Sequence, residues 1–369
     1  MSDTTNQPDN DTQENSVSRR DFFKVSAAAG MGVALAGLFM SPSAAFAAPN
    51  QQTSFGPKRK LIWVPQAAGD WEIPARVGFI DFCKMVGWDY QYLGNPVYSV
   101  ENHLEQLNNA IAAKPDVIVT QLENVGLVSG FQKAISNKIA MVVANQALYT
   151  ETGKLGLNYI GENGVAAGYQ NGTQVATWAQ KLTNKKEGVV LIGSGNPGAA
   201  AIDDRQHGTE QGVADYNKAN GTNYTTKMFP DSAFDDLTTS IQKWGAQVDQ
   251  VGDKLVGMVG LGGPSGVSIW KVMTERNIAP GTYAAGCHDA TDDQLTAIEQ
   301  GYEQWGIDQN VYLQGLLSAV SGWYQLERGV PYRNVDTSGE VVHKEDLAIV
   351  RNRSTIYAAK AKEYGVAAQ

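Results

Sequence analysis

Residues 284–315, AAGCHDATDDQLTAIEQGYEQWGIDQNVYLQG, decide the fold. The short apolar run over 282–286 reads as a strand, and a polar turn carrying His288 and Asp289 follows it. Thr291 then caps a helix that sets Leu295 and Ile298 on one face. A second short strand, 305–307, ends at Asp308 and Gln309. Two strands therefore deliver Asp289 and Gln309 at their C-terminal ends, where open α/β sheets bind small molecules. Both side chains carry the paired hydrogen-bonding atoms that a polyhydroxyl ligand needs.

The same alternation extends upstream. An apolar run at 60–65 suits a buried parallel strand, and a helix over 76–86 closed by Gly87 leads to a strand at 88–93. Ser99 caps a helix with Leu104, Leu107 and Ile111 on one face, and Pro115 stops it before a strand at 117–120. A helix at 128–136, a strand at 139–144 and the short run 159–161 complete the set. From Asn163 the pattern restarts, with strands at 188–192, 225–229 and 255–259 and helices at 203–220, 237–251 and 264–276. Two such α/β units predict two parallel sheets with helices on both faces.

Gly286-Cys287-His288-Asp289, Ile298-Glu299-Gln300-Gly301 and Ile307-Asp308-Gln309-Asn310-Val311-Tyr312-Leu313-Gln314-Gly315 resemble, in that order, the type I periplasmic sugar-binding proteins of bacterial ABC importers, the family of the ribose- and galactose-binding proteins. That family's pattern is Gly-Phe-Asp, Ile-x-x-Gly and Asp-Gln-x-x-Tyr-Leu-Gln-Gly. His288 stands here in place of Phe and Cys287 in place of Gly, so the ligand's identity does not follow from the fold. The tail, 326–331 and 335–339, also resembles the family's ending. The resemblance implies two doubly wound parallel-sheet lobes joined by a three-crossing hinge. Residues 58–162 with 310–335 would form the first lobe, and 163–309 with 336–369 the second.

It also implies a ligand-binding set. Sugars combine hydroxyls with C–H faces, so their sites pair planar polar groups with aromatic walls. Gly69-Asp70-Trp71-Glu72 occupies the place of the family's Asn-Pro-Phe-Phe loop; Asp70, Trp71 and Glu72 are its candidates, with Trp71 over the sugar ring. Asn145 and Gln146 stand where the family has Asp-Arg, without either charge. Asp204-Arg205-Gln206-His207-Gly208 fits Arg-x-x-Gly, making Arg205 a fork onto sugar oxygens, and Ser232-Ala233-Phe234-Asp235 fits Ala-Asp-Phe-Asp, making Phe234 the second wall. Asp289 and Gln309 complete the ring. His288 is either a further contact or a neutral imidazole packed in its lobe.

The N-terminus has its own reading. Ser18-Arg19-Arg20-Asp21-Phe22-Phe23-Lys24, an Ala/Gly/Val run and Ala45-Phe46-Ala47 read as a twin-arginine signal over 1–47, followed by a linker at 48–57 and export to the periplasm. The whole chain carries −9. Removing the signal's three basic and five acidic groups from 29 and 38 leaves 26 and 33, a net charge of −7. That balance argues against nucleic acid as a partner. Cys83 and Cys287 lack metal-ligand spacing and read as free thiols. The expected partners are a sugar or polyol and an inner-membrane ABC permease; the expected chain is a monomer without cofactor or catalysis. The same residues would also serve a ligand sensor for a chemoreceptor or kinase.

One motif points elsewhere. Gly193-Ser194-Gly195-Asn196-Pro197-Gly198 follows a strand as a dinucleotide fingerprint would, which suggests an exported nicotinamide-dependent oxidoreductase. Pro197 inside the motif, a helix not expected before Asp203 and an acid at Asp215 within that helix count against it. None of His103, His207, His288 and His343 lies in a nucleophile-elbow or HExxH setting.

Overall fold

Strands covered on both faces must be apolar at successive positions, and Val117–Leu122 and Leu255–Gly260 are buried throughout their lengths. Each lies inside its own six-stranded sheet. The computed structural model describes residues 56–234, 236–338 and 340–366. The signal expected over 1–47, and the expected linker up to residue 55, lie outside the described residues. Among the described residues no helix is long and apolar enough to cross a membrane.

The first sheet holds β1 (Lys60–Val64), β2 (Asp89–Tyr92), β3 (Val117–Leu122), β4 (Ala140–Ala147), β5 (Tyr159–Gly161) and β11 (Val335–Asp336) in the order β11-β5-β4-β3-β1-β2, all parallel. Helices α1 (Ile73–Val86), α2 (Val100–Ala112), α3 (Val128–Ser136) and the short α4 (Tyr149–Lys154) connect its strands. Alternate residues point to opposite faces. Leu61, Trp63, Val117, Val119 and Val142 therefore share one core, and Ile62, Val64, Ile118, Met141 and Val143 another.

The second sheet holds β6 (Glu187–Ser194), β7 (Asn223–Pro230), β8 (Leu255–Gly260), β9 (Ala284–His288), β10 (Trp305–Asp308) and β12 (Glu340–Val342) in the order β12-β10-β9-β8-β6-β7. Only β12, against β10, is antiparallel among the described pairings. Its helices are α5 (Gly164–Thr183), α6 (Ala200–Asn220), α7 (Leu237–Val251), α8 (Gly263–Glu275) and α9 (Asp292–Gln300). The chain passes between lobes after β5, after β10 and between β11 and β12. This is the two-lobed, parallel-sheet α/β architecture expected from the sequence. Helix α6 begins at Ala200, three residues earlier than its expected start at Asp203.

Two further features position the cleft. Helices α5 and α6 approach through reciprocal glycines: a Cβ at Gly168 would meet the Arg205 carbonyl oxygen at 2.2 Å, and one at Gly208 the Val165 carbonyl oxygen at 2.1 Å. Helix α10 (Val311–Arg328) packs on the first sheet. The last helix, α11 (Leu347–Glu363), divides itself between the lobes, whereas 336–369 was expected in the second lobe alone. Its Leu347 and Val350 join Leu295, Ile298 and Val342 of the second lobe, while Ala361 packs on Val77 of the first. Tyr312 Oη donates to Asp81 at 2.8 Å, and Lys360 and Tyr364 each reach the same carboxylate at 2.5 Å. A long helix that packs its N-terminal apolar residues on one lobe and a C-terminal one on the other can bridge two bodies, a placement that periodicity does not reveal.

Candidate functional site

The C-terminal ends of both sheets face one another, and the loops leaving them carry most of the expected residues. Asn145, in the left-handed region at φ 63° near the end of β4, donates from Nδ2 to Gln314 Oε1 at 2.9 Å and to Gln309 Oε1 at 3.4 Å. Its Oδ1 accepts from Gln121 Nε2 at 2.9 Å. Gln309 in turn donates to Asp289 Oδ1, and Asp289 Oδ2 accepts from the Gly263 backbone N–H at 2.8 Å. Asn145, Gln309 and Asp289 thus form one polar row from the first lobe to the second. Gln146 follows Asn145 in β4 and is half-buried.

Aromatic groups flank this row. Trp71, 37% exposed, belongs to the 3-10 turn Asp70–Glu72 that Asp70 opens. It shares a recess with Trp63, Ala75, Phe79, Asn145 and Gln314. The recess holds about 10 Å³ as it stands, the space of a single water molecule. Phe234, 50% exposed, lies over Gly195 and Gly262 on the second lobe, where a Cβ would meet its ring at 2.2 and 2.6 Å.

Glu72 and Arg205, both expected to face the ligand, are held by protein groups, and His288 takes one of its two readings. Glu72, 1% exposed, accepts from Trp63 Nε1 at 2.7 Å and from the Tyr92 hydroxyl, so it anchors the Trp71 turn from inside the lobe. Burial raises its carboxyl above the ordinary value, against those hydrogen bonds. Arg205, expected to fork onto sugar oxygens, is 6% exposed. Its Nε and Nη2 meet Glu162 Oε2 at 2.8 and 2.6 Å, and Nη1 donates to the Leu261 carbonyl at 2.9 Å. Three of the five guanidinium N–H groups are thus committed to the protein itself. Burial raises the Glu162 carboxyl, with Arg205 pulling the other way.

His288 is the packed neutral imidazole of the two readings. It is fully buried, and desolvation, with Arg205 second, holds its pKa well below the usual histidine value. Nδ1 lies 2.8 Å from Asn171 Nδ2 and must accept there, which leaves the ring hydrogen on Nε2, 3.7 Å from Glu162 Oε1. Asn171 Oδ1 accepts from Trp305 Nε1 at 2.6 Å.

Gln121, Glu162 and Gln314 belong to this region and were not among the expected residues. Gln121 and Gln314 had a signal: one follows the expected strand at 117–120, and the other lies in the quoted Tyr-Leu-Gln-Gly run. Glu162 had none, because only the crossing after β5 brings it to Arg205.

The fingerprint loop is occupied by side chains. A Cβ at Gly193 would meet the Trp244 ring at 2.2 Å, Phe234 covers Gly195, and the Gly198 N–H donates to Asp203 Oδ1 at 3.0 Å. A pyrophosphate there would compete with two rings and a carboxylate, even though the helix start at Ala200 is closer to the motif than expected. The series Thr120, His103 and Glu123 has hydrolase-like order, with 2.8 Å at each imidazole nitrogen. Thr120, however, is fully buried and donates its hydroxyl hydrogen to the Val64 carbonyl at 2.7 Å, so it is no nucleophile. Both cysteines are buried and free, and among the described residues no His/Cys/Asp/Glu group could hold a metal ion.

The periplasmic binding protein domain family matches residues 61–329. The chain belongs to that family. No curated protein matches this binding protein. Solved structures give the same fold at low identity. A solute-binding protein of an ABC transporter from Burkholderia graminis, in complex with D-arabinose, is 21% identical with a TM-score of 0.67, covering 78% of this chain and 96% of that one. One from Agrobacterium vitis bound with alpha-D-tagatopyranose is 19% identical at TM-score 0.70, covering 80% and 98%. A third, from Actinobacillus succinogenes with bound D-allose, is 18% identical at 0.69, covering 79% and 100%.

Proposed function

We propose that this binding protein is the periplasmic solute-binding component of an ABC importer, holding a monosaccharide or related polyol between its lobes and handing it to an inner-membrane permease. We read it as a monomer exported through the twin-arginine signal. The observation that carries the reading is the Asn145–Gln309–Asp289 row running from lobe to lobe, flanked by Trp71 and Phe234. Amide and carboxylate groups can donate to and accept from vicinal hydroxyls, and the two rings supply apolar faces. These polar groups are now bonded to one another, and the recess beside Trp71 holds little more than a water. A ligand must therefore part the lobes and exchange its hydroxyls for the existing bonds, and closure then favours whichever solute replaces them best.

Thermal shift of the chain against pentoses, hexoses, amino sugars, polyols and NAD(P) tests this. A ligand at a hundred times its Kd adds about 2.7 kcal/mol. A response confined to one sugar or polyol supports the reading; a response to the nucleotide alone sinks it. Trp71→Ala should lose both affinity and the ligand-induced fluorescence change, and survival of that change removes Trp71 from the site.

A further inference from the structure

Glu303 and Gln304 lie just ahead of β10, at the end of the second sheet opposite to the one that carries Asp308 and Gln309 into the cleft. A cavity of about 120 Å³ opens there, lined by Trp178, Ile298, Gly301, Glu303, Gln304 and His343, with the exposed Lys344 and Glu345 completing its wall. The recess beside Trp71 holds one water in about 10 Å³, and on that scale the cavity admits a small molecule of several heavy atoms.

Its polar inventory is one-sided. Glu303 is 1% exposed, yet its Oε1 has no hydrogen-bond partner, and its Oε2 has the weak thiol donor of Cys287 at 3.7 Å. Gln304 is committed: its Oε1 accepts from the Ala285 N–H at 2.8 Å, and its Nε2 donates to the Gly301 carbonyl at 3.0 Å. His343 Nδ1 lies 3.0 Å from the Gln304 carbonyl oxygen, to which it can donate, and a neutral ring with its hydrogen there presents Nε2 as an acceptor. The Trp178 ring already attracts one cation, with Lys181 Nζ 4.0 Å from its centroid. Lys344 and Glu345, both exposed, offset each other in charge. With Glu303 ionised the interior thus offers two acceptors and an aromatic ring, with no uncommitted amide donor; with Glu303 protonated its own O–H is a donor.

We propose that this cavity is a second small-molecule site, which takes a small primary ammonium cation between Glu303 Oε1, His343 Nε2 and the Trp178 ring. An ammonium group supplies three N–H donors and a charge that an aromatic face and a carboxylate both favour. Burial pushes the Glu303 carboxyl up to about 8, so at neutral pH the cation enters as the Glu303 proton leaves to solvent, and the buried charge stays balanced. The cavity needs no movement of the lobes and is independent of the sugar reading.

The test is a titration of the full chain with methylammonium chloride, followed by the Trp178 indole N–H resonance, with methanol and sodium chloride as controls. Trp178→Phe assigns the resonance. The expected result is a saturable shift with methylammonium alone, weakened at least tenfold in Glu303→Gln and severalfold in His343→Ala, with sugar-dependent Trp71 fluorescence unchanged. Glu303→Gln keeps shape and neutrality, so the fold should persist, and an unchanged circular dichroism spectrum checks it. An equal shift with methanol or sodium chloride, no saturation, or wild-type titration by Glu303→Gln each overturns the proposal.

Discussion

Arg205 and Asn145 both stand at the cleft, but they differ in what their loss leaves behind. Truncating Arg205 strands the buried Glu162 carboxylate, and breaking a buried ion pair costs roughly 3 to 5 kcal/mol. Arg205→Ala should therefore lower the unfolding midpoint in urea sharply; a midpoint within error of wild type would mean that the pair contributes nothing. Asn145→Ala removes the amide that bonds Gln309 and Gln314 and sets alanine in a left-handed backbone position, so it should weaken sugar binding by about 1 kcal/mol or more in calorimetry and lower the unfolding midpoint less than Arg205→Ala does. Glu303 adds a pH dependence of definite sign. Its folded-state pKa of about 8 exceeds the unfolded value of about 4.3, so the native state holds the extra proton between them. Stability should fall as pH rises through that window, by up to about 1.4 kcal/mol per unit. Glu303→Gln should flatten the slope in denaturation curves from pH 5 to 9, and an unchanged slope would assign it to other groups.

Among the elements, the pairing of α5 with α6 does most to place the cleft's electrostatics. The contact of Gly168 with the Arg205 backbone sets the start of α6 close to the crossing that carries Glu162. A Cβ at Gly172 would meet the Thr209 carbonyl oxygen at 2.1 Å, so the helices must separate to admit it. Gly172→Ala should cost about 1 to 3 kcal/mol, although alanine is the better helix former; a stabilised variant would show that the helices can slide apart freely. The Gly164-x3-Gly168-x3-Gly172 and Gly208-x3-Gly212 spacings stand in the sequence, but there they are only glycines within helical stretches. Which helices they join is a property of the packed lobe.

For the molecule as a whole, α11 acts as a strap. Burial opposes ionisation of Asp81, but Lys360, Tyr364 and Tyr312 outweigh it and hold its pKa below the ordinary aspartate value. A depressed carboxylate contributes stability above its unfolded pKa, about 3.9, and loses that contribution as pH falls through the folded value. Asp81→Asn should therefore melt lower than wild type at neutral pH, with the difference closing in acid below pH ~4. It should also loosen the strap's C-terminal half, read as faster amide exchange over residues 357–364; equal exchange would mean that the apolar contacts of Val77 with Ala361 hold the strap unaided.

The alternation of short apolar runs with amphipathic helices, and the run from Gly286 to Gly315, determined the two α/β lobes and which loops face the cleft, because both are local patterns with a period of their own. Asp289 and Gln309 could be named because each directly follows a strand, and Asn145 because the stretch around it resembles the sugar-binding family. The tertiary structure alone decided that Arg205 and Glu72 face protein groups, that His288 is neutral and packed, that the last helix bridges both lobes, and that Glu303 lines a cavity. Those outcomes depend on partners far away in sequence, such as Glu162, Leu261, Tyr92 and Trp178, and burial changes what a charged side chain can do only once such partners have met.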